Sequence, residues 1–230
     1  MLRKTIIIPC FNEINSIQIV IERVKKNIDT NDNIIIVDDG STDGTRNFLE
    51  SINDKNIKVK FHDSNFGKGK AIQTALKCDL NEIIIIQDAD LEYNPSDYPL
   101  LMKPYKETDA EIVYGSRFIG TNNYVRVHLF WHYLANKILT FICNIFTNLN
   151  MTDMETGYKS FKKYAISSIN LQEKSFGIEP EITIKLAKKK FKFYEVPISY
   201  AGRSYDEGKK IQLKDAFRAI YCILKYSLTK

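Results

Sequence analysis

Five short apolar runs, rich in isoleucine and valine, limit how this chain can fold. They are Lys4–Pro9, Ile34–Val37, Ile57–Phe61, Ile83–Ile86 and Ile112–Tyr114. Continuous apolar runs of this length, bounded by polar residues, read as strands buried on both faces. Between them, Ile17–Ile28, Asp43–Ile52 and Gly67–Lys77 carry apolar residues at helical spacing, with Thr42 or Asp43 as a cap for the second. Strand alternating with helix predicts an α/β fold: a mostly parallel sheet with helices on both faces. In such sheets ligands bind beyond the carboxyl ends of the strands. The residues that follow each run are therefore the first place to look for chemistry.

The chain has 230 residues, 44% of them hydrophobic, with no glycine-serine linker, repeat or low-complexity tract. This fits one domain over 1–230, in which 1–120 and 121–230 differ in character. In the second part, Val127–Leu149 is long and mostly apolar but is interrupted by His128, His132, Asn136, Lys137, Asn144 and Asn148. A spanning helix needs about 20 predominantly apolar residues, so a buried or interfacial helix is expected instead. Then come a short strand near Tyr158–Phe161, a helix near Glu179–Lys189, a strand near Phe193–Ile198 and a final helix over about Leu213–Leu228. That last helix is amphipathic. Leu213, Phe217, Ile220, Leu224 and Leu228 form an apolar stripe, beside a basic one of Lys214, Arg218 and Lys225.

The four cysteines are far apart and the amino-terminal apolar run is too short for a signal peptide, so a reducing, cytoplasmic setting is expected. The net charge is +5, and Arg203–Lys230 holds seven Lys or Arg against three Asp or Glu. A basic, amphipathic end predicts peripheral contact with an anionic membrane surface. No helix-turn-helix or RNP-like pattern points to nucleic acid. A homo-oligomer or a membrane-protein partner is compatible with the apolar second half. His128 and His132, four apart, lack the further ligands a zinc site needs.

Four motifs stand at strand ends. Asp88-Ala89-Asp90 follows Ile83–Ile86, and its two carboxylates can reach one hard cation such as Mg2+ or Mn2+ together with substrate phosphates. Glu92 adds a third oxygen ligand. Asp38-Asp39-Gly40-Ser41-Thr42-Asp43 follows Ile34–Val37. A turn and helix cap explain Gly40 to Asp43. They do not explain two adjacent acids, which a base or ribose would. Pro9-Cys10-Phe11-Asn12-Glu13 closes the first strand with an aromatic beside two polar groups, suited to a nucleobase. Asn65-Phe66-Gly67-Lys68-Gly69-Lys70 opens a helix whose glycines and amides suit a phosphate. It lacks the spacing of a Walker A loop.

In this order the motifs resemble the family 2 glycosyltransferases of GT-A (Rossmann-like) fold. The likeness continues through Gly115-Ser116-Arg117-Phe118, Glu155-Thr156-Gly157-Tyr158-Lys159 and Glu195-Val196-Pro197-Ile198-Ser199-Tyr200, with Arg203 beyond. In full it resembles the dolichyl-phosphate mannose and polyprenyl-phosphate glucose synthases, and it covers nearly the whole chain. The resemblance implies a metal-dependent, inverting transfer of a hexose from a UDP- or GDP-linked sugar to a polyprenyl or dolichyl phosphate. It assigns Pro9, Phe11, Asn12, Glu13, Asp38, Asp39, Gly40, Gly67, Lys68, Gly69 and Asp88 to the nucleotide sugar, and Asp88, Asp90 and Glu92 to the metal. Arg117 and Arg203 fall to the acceptor phosphate, and Asp88, Asp90, Arg117 and Glu155 to catalysis. The family more often has Gln at position 92. Leu129–Lys137 also departs from the arginine-rich stretch expected there, and the C-terminal transmembrane helices of many members have no counterpart in this sequence. With a hydroxyl acceptor a base is required, and Glu155 or Asp153 would supply it. A non-catalytic nucleotide-sugar-binding subunit is the rival outside enzymes, and the intact Asp39, Asp88, Asp90 and Arg117 speak against it.

Overall fold

The computed structural model of the chain describes residues 2–120, 129–202 and 213–229. Its strands are β1 (Lys4–Cys10), β2 (Asn33–Asp38), β3 (Ile57–Phe61), β4 (Ile83–Ile86), β5 (Ile112–Ser116), β6 (Lys159–Lys162) and β7 (Phe193–Pro197). They form one sheet in the order β3-β2-β1-β4-β6-β5-β7. All run one way except β6, which is antiparallel to both neighbours.

Alternation along the isoleucine runs assigns the two faces. Ile6, Ile8, Ile34, Ile36, Ile83 and Ile85 point to one side, and Ile7, Ile35, Val37, Ile84 and Ile86 to the other. The register sets like beside like, Ile6 with Ile34 and Ile7 with Ile35. A one-residue slip would exchange the faces. These side chains are at most 2% exposed, so each contributes about 1.5–3 kcal/mol of burial. The first face is covered by α1 (Ile17–Lys26), α2 (Thr45–Glu50) and α4 (Tyr98–Glu107). The second is covered by α3 (Lys68–Ala75), α5 (Phe130–Thr147), α6 (Lys163–Ser167), α7 (Ile178–Lys188) and α8 (Leu213–Leu228).

Two features bear on the site. The sheet is mostly parallel, as expected, with one exception: β6 enters between β4 and β5 in reverse. Parallel strands bring their following loops to the carboxyl edge, whereas a reversed strand brings the turn before it. Residues 153–158 therefore reach the same edge as the motifs after β1, β2 and β4. Buried Lys159 and Ser160, rather than an apolar run, mark this strand. In α5, for which a buried or interfacial helix was expected, polar residues face inward and aromatic ones outward. Asn136 and Thr140 are buried, while Phe130, Trp131, Phe141 and Ile145 are 62–74% exposed. Among the described residues no helix is long and apolar enough to cross a membrane.

Candidate active site

The motif after β4 is fixed from below by Gln87, which is fully buried. The hydroxyls of Tyr98 and Tyr158 donate to its Oε1 at 2.8 and 2.6 Å, and its amide donates to the Asp88 carbonyl at 3.0 Å. The Glu92 N–H donates to Asp90 Oδ1 at 3.1 Å, and the Tyr200 hydroxyl donates to Glu92 Oε2 at 2.9 Å. Residue 157 must be glycine here, because a Cβ would collide with Asp88 Oδ2 and the Tyr93 ring. The Lys68 ammonium lies 2.7 Å from Asp88 Oδ1 and 3.1 Å from Glu179 Oε1. Burial opposes its charge, but the two carboxylates prevail and hold its pKa well above the ordinary range.

Asp39 joins the end of β2 to the start of α3. Its carboxylate accepts from the N–H groups of Phe66 (3.0 Å) and Gly67 (2.6 Å) and pairs with His62 Nδ1 at 2.6 Å. Gly67 has φ +99°, and a Cβ there would strike the Lys174 carbonyl, so the helix entry tolerates no side chain.

Beyond β5, Arg117 makes a two-pronged pair with Asp153, Nε to Oδ2 and Nη2 to Oδ1, both at 2.7 Å. Asn136 of α5 donates to the same carboxylate at 3.0 Å. Burial would raise the Asp153 pKa, but Arg117 outweighs it and the carboxyl is held low. Asp153 is thus an anchor for Arg117 and is poorly suited to act as a base. Glu155 is its opposite. Its Oε1 is shut off from water with no hydrogen-bond partner. Burial first, and then the charge of Glu179, push its pKa up to about 7.

Asp39, Lys68, Asp88, Asp90, Arg117 and Glu155 line one cleft, at the point where the sheet order turns from β1 toward β2 on one side and β4 on the other. Of the residues expected there, Pro9, Phe11, Glu13, Asp39, Gly67, Lys68, Asp88, Asp90, Glu92, Arg117 and Glu155 share its wall. Others have structural positions behind it. Asp38 is fully buried, accepting from Ser41 N–H and pairing with Arg46. Asn12 accepts from Thr42 N–H at 2.8 Å. Gly40 (φ +77°) turns against Ser64 and Asn65, and Gly69 packs on the Glu173 carbonyl. Arg203 lies outside the described residues, as does His128. Tyr93, Ser175, Phe176, Glu179 and Tyr200 also line the cleft and had no assigned role. For Glu179 the signal was a pair of acids, Glu179 and Glu181, in a mostly apolar helical run, IEPEITI, which does not tell the two apart.

A family model described as Glycosyl transferase family 2 matches residues 5–169. The chain belongs to that family. This family 2 glycosyltransferase is 26% identical over 220 residues to the undecaprenyl-phosphate mannosyltransferase of Micrococcus luteus, covering 90% of this chain and 87% of that protein. It is 28% identical over 245 residues to the UDP-N-acetylglucosamine–dolichyl-phosphate N-acetylglucosaminyltransferase of Methanococcus voltae, covering 98% and 96%. Both names match the polyprenyl-phosphate subgroup that the motifs resemble. The fold matches glucosyl-3-phosphoglycerate synthase from Mycobacterium tuberculosis in complex with Mn2+, UDP and glucosyl-3-phosphoglycerate, with TM-score 0.75, 18% identity and coverage of 98% and 80%. It also matches that enzyme with Mg2+ and UDP, with TM-score 0.74, 17% identity and coverage of 98% and 79%. At such identity the likeness is one of fold.

Among the described residues no three His, Cys, Asp or Glu side chains are grouped closely enough to hold a metal unaided. Two hard carboxylates, Asp88 and Asp90, nevertheless face one cleft, and Asp88 occupies a cradle that a side chain at 157 would fill. That donor set fits Mg2+ or Mn2+ with its remaining positions filled by water and diphosphate oxygens.

Proposed function

We propose that this glycosyltransferase moves a hexose from a UDP- or GDP-linked sugar to a polyprenyl phosphate, with Mg2+ or Mn2+ bound beside the diphosphate. The observation that carries this reading is the pairing of opposite chemistries in one cleft. Asp88 and Asp90 beyond β4 stand with Lys68 at the start of α3, and a rigid arginine fork stands beyond β5. The names of the relatives support the acceptor, and the UDP and metal of the structural neighbours support the donor.

In this reading Pro9, Phe11, Glu13 and Asp39 receive the nucleoside, and Lys68 with the amino end of α3 receives the diphosphate. Asp88 and Asp90, with Glu92 near, would hold the metal, whose charge neutralises the leaving diphosphate. Arg117, and Arg203, orient the acceptor phosphate, because a planar guanidinium matches two phosphate oxygens. A phosphate oxygen is already ionised, so it attacks the anomeric carbon opposite the diphosphate without a base. Positioning and charge stabilisation do the rest. Glu155 favours a second reading, a hydroxyl acceptor, because a buried carboxyl with pKa about 7 suits a general base.

The α5–α8 surface supports peripheral membrane binding. Phe130, Trp131 and Phe141 of α5, and Phe217, Leu224 and Leu228 of α8, are all more than 40% exposed on neighbouring helices. Patches of this kind mark interaction sites. The basic stripe of α8 is less available than expected. Arg218 and Lys225 both pair with Glu173, the first at 2.5 Å and the second at 3.1 Å. The side chain of Lys214 lies outside the described residues. Four free cysteines are consistent with the cytoplasmic face.

Radiolabelled UDP- and GDP-sugars incubated with and without polyprenyl phosphate test the proposal. Label entering the lipid fraction with one donor is expected. Transfer only to a hydroxyl-bearing glycan, blocked by Glu155→Gln, would replace it with the second reading.

A further inference from the structure

A line of charge runs from the cleft wall into the interior, and the transfer step as described uses its first two members, Asp88 and Lys68, but not Glu179 or Lys159, which continue it. Asp88 pairs with Lys68, Lys68 with Glu179, and Glu179 Oε2 with Lys159 at 2.6 Å. The Lys159 side chain is 0% exposed, and its ammonium donates to the carbonyls of Met154 (2.8 Å) and Thr156. Those carbonyls belong to the turn that carries Asp153, Glu155 and Gly157. Four charges of alternating sign thus run from the acid motif after β4 to the turn before β6. Glu179 stands between the two lysines, in the first turn of α7, where the helix dipole favours an acid.

A counter-ion for Lys159 would need one carboxylate oxygen, since two carbonyls already accept from that ammonium. The other oxygen of Glu179 is committed to Lys68, a residue of α3 on the cleft wall. Lys68 is therefore held by two acids from different elements, and its place does not depend on Asp88 alone. Burial tends to neutralise Glu179, but Lys159 and Lys68 outweigh burial and keep it ionised.

We propose that Glu179 is a positioning residue that sets the spacing between the donor and acceptor sides of the cleft. It fixes Lys68 on one side and, through Lys159, the 153–157 turn on the other. This rests on the reading above only in naming which side is which. Reacting groups tolerate little misplacement, about 1 Å costing on the order of 100-fold in rate, which is why a rigid tie across the cleft has value.

Glu179→Gln keeps the shape and removes the charge. Glu179→Asp keeps the charge but is one methylene shorter, so it can reach one lysine and not both. Two measurements need no acceptor. They are calorimetric binding of UDP and GDP with Mg2+, and hydrogen exchange of the 153–158 amides in the protein alone. Glu179→Gln is expected to weaken nucleotide binding about tenfold or more, the scale of one charge-assisted contact. It should also speed exchange at 153–158 while β1 and β2 keep their protection. Lys68→Met should add less to the binding loss in the Glu179→Gln background than in the wild type. Glu179→Asp is expected to show one of the two defects, and it stands in should Glu179→Gln fail to fold. Unchanged nucleotide affinity in Glu179→Gln, or faster exchange spread evenly over the sheet, would overturn the proposal and leave Glu179 a plain counter-ion. If the wild-type chain binds neither nucleotide, the donor reading falls, and localised exchange at 153–158 and at Lys68–Ala71 still decides for or against the tie.

Discussion

Arg117 and Asp153 cannot be probed by simple truncation, because each is the other's buried counter-ion. Arg117→Ala would strand a carboxylate, at a cost of about 3–5 kcal/mol, and mix folding with function. Arg117→Lys keeps the charge and loses the fork. It is expected to raise KM for polyprenyl phosphate severalfold while leaving KM for the donor unchanged, as steady-state kinetics with each substrate varied would show. On the proposed reading, Asp90→Ala removes a hard ligand for the cation. A fall of about 100-fold or more in transfer is expected, with EDTA doing the same to the wild type, since metal neutralisation of the leaving group is worth several kcal/mol. Full activity in EDTA would refute it. Glu155 titrates upward, to about 7. An acid raised in the folded state favours folding below its unfolded pKa, near 4.5, and costs stability as pH rises through 7. Glu155→Gln should therefore gain stability over the wild type between pH 5 and pH 8, by up to about 3 kcal/mol. Urea unfolding at the two pH values measures it. Much of the site was legible at this scale, because Asp39, Lys68, Asp88 and Arg117 stand in motifs at strand ends. Asn12, Asp38 and Gly40 look the same in sequence, since caps and turns use the residue types that ligand sites use. Glu179 belongs to none of the motifs, Lys159 ends the Glu155–Lys159 motif without an assigned role, and only the fold joins them to Lys68.

At the scale of elements, α5 shows where hydropathy misleads. The asparagines and threonine that interrupt its apolar run are the residues that face inward. Asn136 reaches Asp153, the Met154 N–H donates to Thr140 Oγ1, and Asn144 bonds both ways with Met151. The helix serves as a polar clamp on the turn before β6, and its aromatic residues are left outside. Trp131→Ser with Phe141→Ser should therefore reduce co-sedimentation with anionic vesicles severalfold while leaving the melting temperature nearly unchanged, since exposed apolar residues contribute binding rather than core. Equal sedimentation would remove this face from the account. In α8, Phe217, Leu224 and Leu228 of the apolar stripe read from sequence are exposed, while Ile220 of the same stripe packs on the core with Ala219, Cys222, Ile223 and Tyr226, and the Leu213 side chain lies outside the described residues. Its basic residues were harder to place, because their partner Glu173 is at least 45 residues away.

For the molecule as a whole, the five runs were enough to indicate the parallel part of the sheet and the edge where the site lies. The reversal of β6 was not legible, because a short strand with a buried lysine shows neither alternation nor a continuous apolar run. That strand pairs on one side with β4 and on the other with β5, both earlier in the chain. Its hydrogen bonds bridge two strands that do not pair with each other. A polypeptide cut between residues 120 and 129 would give an amino-terminal piece whose sheet has a gap one strand wide. The other piece would hold β6 and β7, whose common neighbour β5 lies on the first. Neither should be soluble or active when made alone. Made together in one cell, the two should reassemble and recover transfer, and the yield should drop sharply when β6 is spoiled by Ser160→Pro, which removes a ladder N–H and stiffens the chain at its centre. The enzyme would then report, by its own activity, on whether two halves of a gene have met.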